Sequence, residues 1–145
     1  MDVVICGSMN FKEKMREVGR ILKEAGFRVT IPQGARYPEV KAEDKRNEFK
    51  YYFSEIVLAD AVVVLNETKT TPEGKMVAGY VGGNTFLEMG FAYVLSKPII
   101  LRYPPLRELP YIDEIDRMNP IILEKPGEET LIHKLNAISR SLPGN

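Results

Sequence analysis

The chain has 145 residues, and its 20 lysine and arginine residues balance 20 aspartate and glutamate residues, so the formal net charge is zero. This length predicts one domain over residues 1–145, and the neutral charge argues against a surface for nucleic acid polymers. The single cysteine, Cys6, excludes an intrachain disulfide, and an N-terminus without the basic and apolar regions of a signal peptide predicts a cytoplasmic protein. The glycine and polar residues at 82–85, together with Glu88, interrupt the apolar run 76–96, so we expect no membrane span there.

Strand and helix patterns alternate along the chain. Short β-branched or apolar runs predict strands at 3–6, 27–31, 61–65, 98–101 and 120–123. Apolar residues at helical spacing predict helices at 11–25, 44–58, 85–95, 112–117 and 128–141. Gly26 is placed to end the first helix, and the core face of the second helix is predicted to carry Phe49, Phe53, Ile56 and Val57.

This alternation predicts an α/β fold with a single doubly wound, five-stranded parallel sheet and helices on both faces, of the flavodoxin or Rossmann type. The strands are continuous apolar runs, which is typical of parallel strands buried on both faces. Loops that leave strands are long, at 32–43, 66–83 and 102–111, whereas loops that enter strands are tight. Exit loops share the carboxyl edge of a parallel sheet, so we expect the ligand there, with 66–83 as a candidate lid.

Glu88 is the only charged residue between positions 76 and 96, and it follows the turn Gly82-Gly83-Asn84. An anion in an apolar helix is costly unless a structural partner or a ligand uses it. Two interpretations stay open. In the first, Thr85 is the helix N-cap and Glu88 is its partner in a capping box. In the second, Glu88 is a nucleophile or general base that the helix N-terminus keeps ionised.

Other positions at the predicted ligand edge also have a functional and a structural interpretation. Gly7 and Ser8 follow the first strand, where they can hold a phosphate or where Ser8 or Asn10 can cap a helix. Asn66 ends the third strand and can contact a sugar or a base, or can simply suit the transition from strand to loop. The glycines of the turn at 82–84 allow close approach of the backbone to a ligand.

The predicted second helix carries Glu48, Tyr52 and Glu55 on one side. The phenol of Tyr52 can hydrogen-bond a catalytic carboxylate or a leaving group, whereas the glutamates also suit a solvated face. One histidine, His133, and one cysteine argue against a metal site. The sequence has no dinucleotide-binding or Walker A glycine motif, so no cofactor is expected.

The chain resembles the nucleoside 2-deoxyribosyltransferase superfamily, which includes deoxynucleoside 5′-monophosphate N-glycosidases. The resemblance rests on three segments: Ile5-Cys6-Gly7-Ser8, positions 56–64 with Ala59-Asp60, and positions 84–98 with Leu87-Glu88-Met89-Gly90-Phe91-Ala92. It implies that Glu88 attacks the anomeric carbon of a nucleoside or nucleotide and forms a glycosyl-enzyme, which water or a second base resolves. It also implies that Gly7 and Ser8 hold a 5′-phosphate and that the turn at 82–84 adds backbone donors.

One position departs from this family. An aspartate is common eight residues before the position of Asp60, and this chain has Tyr52 there. The leaving base must therefore take its proton from Tyr52, from Glu48 or from a loop acid such as Glu73. The family also implies a homo-oligomer that completes each site with a neighbour's residues, and the segment 111–119 is the predicted contact.

Two other functions stay open. The run from Gly82 to Glu88 keeps the Gly-Gly and Thr-x-x-Glu of phosphoribohydrolases of the lysine decarboxylase-like type, but it is one residue short of their motif. A non-catalytic nucleotide-binding module on the same fold would use Glu88 only as a cap or as an acceptor for a sugar hydroxyl. Each interpretation predicts a small nucleoside or nucleotide ligand, with neither a nucleic acid polymer nor a membrane as partner.

Overall fold

The computed structural model describes the backbone of residues 1–32 and 42–143, and the side chains of these residues outside 42–46. Its strands are β1 (Asp2–Cys6), β2 (Arg28–Thr30), β3 (Ala61–Val64), β4 (Lys69–Thr70), β5 (Met76–Val77), β6 (Ile99–Leu101) and β7 (Ile121–Ile122). Its α-helices are α1 (Lys12–Glu24), α2 (Ala42–Leu58), α3 (Gly83–Val94), α4 (Ile112–Arg117) and α5 (Glu128–Arg140), and a 3₁₀ turn spans Met9–Phe11.

Five parallel strands form one sheet in the order β2-β1-β3-β6-β7. Val3 of β1 pairs with Val29 of β2 and with Ala61 of β3, while Ile100 of β6 pairs with Ile121 of β7. Counting only these strands, the order is 2-1-3-4-5, a doubly wound arrangement in which the winding direction changes between the first and third strands. The predicted five-stranded parallel sheet is therefore confirmed.

Helices cover both faces of the sheet, and alternate residues of each strand point into two hydrophobic cores. The core beneath α1 and α5 includes Ile5, Met15, Leu22, Leu131 and Leu135. The core beneath α2, α3 and α4 includes Cys6, Tyr52, Ile56, Met89 and Ile115. Because both faces are covered, the strands have no polar face, which explains their continuous apolar sequences.

The predicted elements of this sheet and its helices begin and end within two residues of the observed ones. Gly26 has a φ of +100° and follows the end of α1, as a glycine that terminates a helix does. The predicted core face of α2 was wrong in part. Tyr52 and Ile56 are buried and Phe53 is half-buried, but Phe49 and Val57 are each 46% exposed. Of the four residues expected in the core, Ile56 is fully buried, and the buried stripe runs through Tyr52 and Ile56 instead of through Phe49 and Val57.

The predicted lid at 66–83 contains a small antiparallel hairpin that the sequence did not reveal. Lys69 of β4 pairs with Val77 of β5, and Thr70 pairs with Met76. The turn between them is closed by Thr71, whose hydroxyl accepts a hydrogen bond from the amide of Lys75 at 3.1 Å. Strands of two residues are too short to give an alternating pattern, so only the completed fold shows them.

Gly79 anchors this hairpin to the loop after β6, and we predict that Gly79→Ala destabilises the protein by about 3 kcal/mol. Gly79 is buried with a φ of +76°, and a methyl group there would fall on the carbonyl oxygen of Pro104 and lie 2.9 Å from the amide nitrogen of Leu106. Gly74→Ala is the matched control, because its φ is +83° but nothing lies within 4 Å. The control should cost only about 1 kcal/mol in urea unfolding. Equal losses for the two variants would contradict the close approach at Gly79.

Candidate functional site

The carboxyl edge of the sheet brings together the ends of the parallel strands and the beginnings of α2 and α3. Each of these helices returns the chain to a parallel strand, so each begins at this edge. Glu88 lies in the second turn of α3. The N-cap of α3 is Gly82, and no side chain caps it. The interpretation of Thr85 and Glu88 as a capping box is therefore wrong, because the helix begins at Gly83 and Thr85 lies within its first turn.

The Glu88 carboxyl is enclosed between α3, the end of β1 and α2. Its residue is only 6% exposed. Burial raises the pKa of Glu88 to about 8, a hydrogen bond with the thiol of Cys6 opposes this rise, and the negative charge of Glu48 adds to it. Burial is the largest of these effects, and it acts against the expectation that the helix N-terminus keeps Glu88 ionised. At neutral pH most molecules hold a proton on this carboxyl.

Cys6, the other partner in this hydrogen bond, lies in the same buried environment as Glu88. It is the last residue of β1 and is fully buried. Burial, the charge of Glu88 and the hydrogen bond to Glu88 together raise the pKa of the Cys6 thiol well above its ordinary value. The thiol is therefore a neutral donor that holds the Glu88 carboxyl in place.

Tyr52 belongs to the same buried core as Cys6, and it is 3% exposed. Its hydroxyl donates a hydrogen bond to the carbonyl oxygen of Ile5, and the carbonyl oxygen of Thr30 lies 3.4 Å away. These contacts tie α2 to the backbones of β1 and β2. The phenol proton thus has an acceptor within the sheet, and the proposed catalytic role of Tyr52 stays a prediction.

Gly7 and Ser8 lie where β1 leaves the sheet. The Ser8 hydroxyl accepts hydrogen bonds from the amide nitrogen of Asn10 at 3.2 Å and from its side-chain nitrogen at 2.7 Å, which caps the 3₁₀ turn. A methyl group on Gly7 would lie 2.7 Å from the terminal carbon of Met15 and 3.2 Å from the carbonyl oxygen of Leu65. The structural interpretation of this turn is confirmed, and its role as a phosphate site stays a prediction.

The start of α3 presents Gly82, Gly83 and Asn84 at this edge. Gly83 and Asn84 are exposed, and nothing lies within 4 Å of a methyl group built on Gly83. The first amides of an α-helix have no partner within the helix, so they are available to accept an anion or a polar ligand. The space next to Gly83 is therefore open to a ligand, and the contribution of this turn to substrate binding stays a prediction.

Asn66 lies at the same edge and is fully buried. Its side-chain nitrogen donates to the carbonyl oxygen of Tyr103 at 2.7 Å, and the amide of Tyr103 donates to its side-chain oxygen at 3.1 Å. The Asn66 amide therefore joins the loops that leave β3 and β6. A contact between Asn66 and a substrate stays a prediction.

We predict that Asn66→Ala destabilises the protein by about 2–3 kcal/mol, because it leaves the backbone amide and carbonyl of Tyr103 without their partner. The measurement is the urea midpoint at constant pH. Asn84→Ala is the control: its side chain is exposed, and surface changes of this kind usually stay within about 0.5 kcal/mol. A loss below 1 kcal/mol for Asn66→Ala would show that water replaces both hydrogen bonds.

A buried ionic cluster at this edge was missed in the sequence. Arg102 follows β6 directly and is 4% exposed. Its guanidinium lies 3.6 Å from the Glu67 carboxylate and 3.3 Å from the Glu128 carboxylate, which in turn lies 3.2 Å from the ammonium of Lys14. Burial raises the pKa of Glu67, although the charge of Arg102 opposes it. An arginine directly after an apolar strand was the one sequence signal for a buried charge. The acidic and basic residues of the cluster could not be predicted, because they come from three distant segments of the chain.

This ionic cluster and Glu88 occupy opposite faces of the sheet. Arg102 contacts Glu128 at the start of α5, whereas Glu88 contacts Cys6 on the face covered by α2 and α3. The turn at Gly7 and Ser8 lies between them at the end of β1. In the described part of the chain, no group of three histidine, cysteine or acidic side chains is arranged to hold a metal ion. None of the described helices has both the length and the apolar character needed to cross a bilayer.

No protein-family model and no curated protein matches the sequence. The structure is similar to a 2-deoxyribosyltransferase from the psychrotolerant bacterium Bacillus psychrosaccharolyticus, with a TM-score of 0.60, 19% identity and 90% of each chain covered. It is also similar to the CMP N-glycosidase of Clostridium botulinum, with a TM-score of 0.54, 20% identity, and 94% of this chain and 98% of that chain covered.

A third similar structure is a conserved protein from Enterococcus faecalis V583, with a TM-score of 0.53 and 12% identity. The alignment covers 98% of this chain and 99% of that chain. At identities this low, these likenesses establish a shared fold over most of the chain. The fold implied by the sequence resemblance is therefore confirmed.

Proposed function

We propose that the protein cleaves or transfers the N-glycosidic bond of nucleosides or their 5′-monophosphates, with Glu88 as the nucleophile. The observation that carries this proposal is one carboxyl group, 6% exposed, enclosed in an otherwise apolar helix at the ligand edge of the sheet. A buried acid with a strongly raised pKa at such an edge is typical of functional sites. The two named enzymes of the same fold, a deoxyribosyltransferase and a CMP N-glycosidase, support this chemistry.

The proposed reaction has two steps at the anomeric carbon. In the first, the ionised Glu88 carboxylate attacks C1′, the C1′–N bond breaks, and its electron pair leaves with the base, which takes up a proton. In the second, water or the nitrogen of a second base attacks C1′ and releases Glu88. Both steps pass through an oxocarbenium-like transition state, which a nearby carboxylate stabilises strongly in a dry site.

We place the 5′-phosphate, where one is present, at the turn of Gly7 and Ser8 and near the first amides of α3. The Ser8 hydroxyl accepts hydrogen bonds from Asn10, so its own proton remains available for donation to a phosphate oxygen. The turn at 82–84, in which Gly83 and Asn84 are exposed, would supply further backbone amides. These groups would orient the sugar with C1′ toward the carboxylate.

We also propose that the protein self-associates, through the exposed apolar face of α2 and α3. Apart from the buried Glu88, α3 carries no charged residue. Its exposed large apolar side chains are Leu87, Tyr93 and Val94, and the helix packed beside it, α2, exposes Phe49 and Val57. Exposed apolar side chains on a helix without exposed charges favour a second copy of the same surface as partner.

The earlier expectation of a contact at 111–119 receives no support from the internal packing of that segment. Its Tyr111 hydroxyl donates to the carbonyl oxygen of Val81, its Tyr111 ring stacks on Phe86 at 4.4 Å, and Ile115 is fully buried. These side chains are held within the chain. The contact at 111–119 stays a prediction, and the face of α2 and α3 is the surface we favour.

We expect Val94→Lys to weaken self-association by roughly tenfold or more, because Val94 is 79% exposed on this face and a charge there must be buried in the contact. Sedimentation velocity over a concentration series measures the change. Ile122→Lys, at an exposed apolar position on β7, is the control and should leave association unaltered. A wild-type protein that is monomeric throughout the series would overturn this contact.

The function is tested by chromatography of free base released from nucleosides and their 5′-monophosphates, in ribose and 2′-deoxyribose forms, with and without a second base. Release that requires Glu88, with a sugar ester on the peptide containing Glu88 after acid quench, supports the proposal. Preference for ribose monophosphates would favour the phosphoribohydrolase alternative. Tight nucleotide binding without any release would overturn the enzyme proposal in favour of a binding module.

A further inference from the structure

The hairpin of β4 and β5 is fixed at its base to the carboxyl edge of the sheet. The amide of Tyr80 donates to the carbonyl oxygen of Glu67 at 3.3 Å, and the amide of Leu106 donates to the carbonyl oxygen of Gly79 at 2.9 Å. These bonds join the hairpin to the loops that leave β3 and β6. A side chain near this base therefore has a defined position beside the candidate site.

The Tyr80 ring contacts residues beside both turns at which we place a 5′-phosphate. It meets the ring of Phe11 edge to face, with centroids 6.4 Å apart, and Phe11 ends the 3₁₀ turn that Ser8 caps. A methyl group built on Gly82, the N-cap of α3, would lie 3.4 Å from the Tyr80 hydroxyl oxygen and 3.5 Å from a ring carbon. The Tyr80 ring therefore lies at the junction of the two turns.

Lys69 of β4 holds its ammonium over this ring, 4.3 Å from the ring centroid. The residue is half-buried, and no ion pair among the described side chains includes it. An aromatic face attracts a cation but brings no counter-charge and no carboxylate oxygen. The Lys69 ammonium therefore keeps its charge and its donors available for an anion at this junction.

The ionic cluster around Arg102 does not offer a competing anion site. Its guanidinium lies 3.6 Å from the Glu67 carboxylate and 3.3 Å from the Glu128 carboxylate, and Glu128 also lies 3.2 Å from the ammonium of Lys14. Two carboxylates thus balance two cations. Of these three cations at the carboxyl edge, Lys69 alone has no carboxylate partner in the described part of the chain.

We infer that the Lys69 ammonium binds the 5′-phosphate of the substrate and makes 5′-monophosphates preferred over free nucleosides, an inference that rests on the proposed function. A phosphate monoester carries a charge of about −1.5 to −2 near neutral pH, whereas the sugar of a free nucleoside is uncharged. The phosphate oxygens would accept hydrogen bonds from Lys69, from the Ser8 hydroxyl and from the first amides of α3. Tyr80 is a positioning residue, because its ring holds the ammonium in place before the substrate binds.

The kinetic experiment measures kcat/KM of base release from the preferred 5′-monophosphate of the panel and from the matching nucleoside. We expect the wild type to favour the monophosphate. Lys69→Met should lower kcat/KM on the monophosphate by about 10–100-fold, the usual effect of losing a hydrogen bond between charged groups, and on the nucleoside by less than about threefold. A wild type that favours the nucleoside, or equal losses on the two substrates, would overturn the inference.

Two further variants separate the charge of Lys69 from a structural effect of its removal. Lys69→Arg keeps a cation that can stack on Tyr80, so its loss on the monophosphate should stay below about fivefold. Lys75→Met removes an exposed ammonium from the connection between β4 and β5, and it should leave kcat/KM on both substrates unchanged. The assignment fails if Lys69→Arg loses as much as Lys69→Met, or if Lys75→Met abolishes the preference for the monophosphate.

A second experiment measures binding without turnover. Isothermal titration calorimetry gives the affinities of Glu88→Gln protein for the 5′-monophosphates and nucleosides of the panel, alone and combined with Lys69→Met or Lys75→Met. Lys69→Met should weaken monophosphate binding by about 10–100-fold, and Lys75→Met should leave it unchanged. Monophosphate affinity that does not respond to Lys69→Met overturns the inference, even where the wild type releases base. If the wild type releases no base from any substrate, the proposed function fails, and affinity that depends on Lys69 still supports the phosphate contact.

Discussion

Replacement of Glu88 with glutamine should lower base release by about 10³-fold or more, and this is the largest effect on activity that we expect. The amide keeps the shape of the side chain but cannot bond to C1′ as a nucleophile, so the double displacement has no first step. The assay is single-turnover release of base from the preferred substrate of the panel. Substrate affinity should change much less than the rate, because Glu88 acts mainly in the transition state.

The control for this variant is Glu129→Gln, which removes an exposed carboxyl from the first turn of α5. It should release base at the wild-type rate. The Glu88→Gln protein must also show a cooperative unfolding transition, so that lost activity reflects lost chemistry. Residual turnover within tenfold of the wild type would rule out a covalent role for Glu88 and would favour electrostatic stabilisation by another group.

Most of the sheet could be predicted because strands that are buried on both faces have continuous apolar sequences. The strands β1 and β3 are continuous apolar runs, which is why their positions could be predicted. That a ligand binds at the edge where the long exit loops lie stays a prediction. The hairpin of β4 and β5 could not be predicted, since each strand has two residues and gains its structure from the partner. The start of α3 was displaced because Gly82 caps the helix through its backbone alone.

The candidate site could be predicted only where a residue differs clearly from its neighbours in the sequence. Glu88 does so, as the lone charge in an apolar helix. Its partners do not, because Cys6 resembles a core residue and Glu48 resembles part of a solvated face. The ionic cluster around Arg102 was missed for the same reason. Its three contacts join residues 26, 35 and 114 positions apart, in pairs that no local pattern encodes. Sequence patterns report burial well, but they do not report which charges meet.

The same burial that raises the pKa of Glu88 should make the folded protein less stable as the pH rises. The pKa is about 8 in the folded state, against an ordinary value of 4.5 that applies to the unfolded chain. Between these values the folded protein keeps a proton that the unfolded chain has released. The unfolded chain binds fewer protons in this range, so the free energy of unfolding decreases as pH increases. The full loss above pH 8 amounts to roughly 4–5 kcal/mol.

Glu88→Gln isolates this effect, because the amide stays neutral at every pH. We expect the variant and the wild type to have similar urea midpoints near pH 4.5, and the variant to be more stable by several kcal/mol near pH 8.5. The raised pKa of Glu67 contributes with the same sign as Glu88, and the lowered pKa of Glu128 with the opposite sign. Both groups are present in the two proteins, so they cancel in the difference.

The measured range should end near pH 8.5, because the thiol of Cys6 begins to ionise in the unfolded chain above its ordinary value of 9.0. Parallel stability curves for the wild type and Glu88→Gln would show that the Glu88 carboxyl is solvated in the folded protein. Diverging curves would mean that the folded protein holds a carboxyl at a cost to its own stability. A reacting carboxylate in a dry site carries this cost, whereas a helix cap or a solvated surface group would stabilise the ionised form and give curves of the opposite slope.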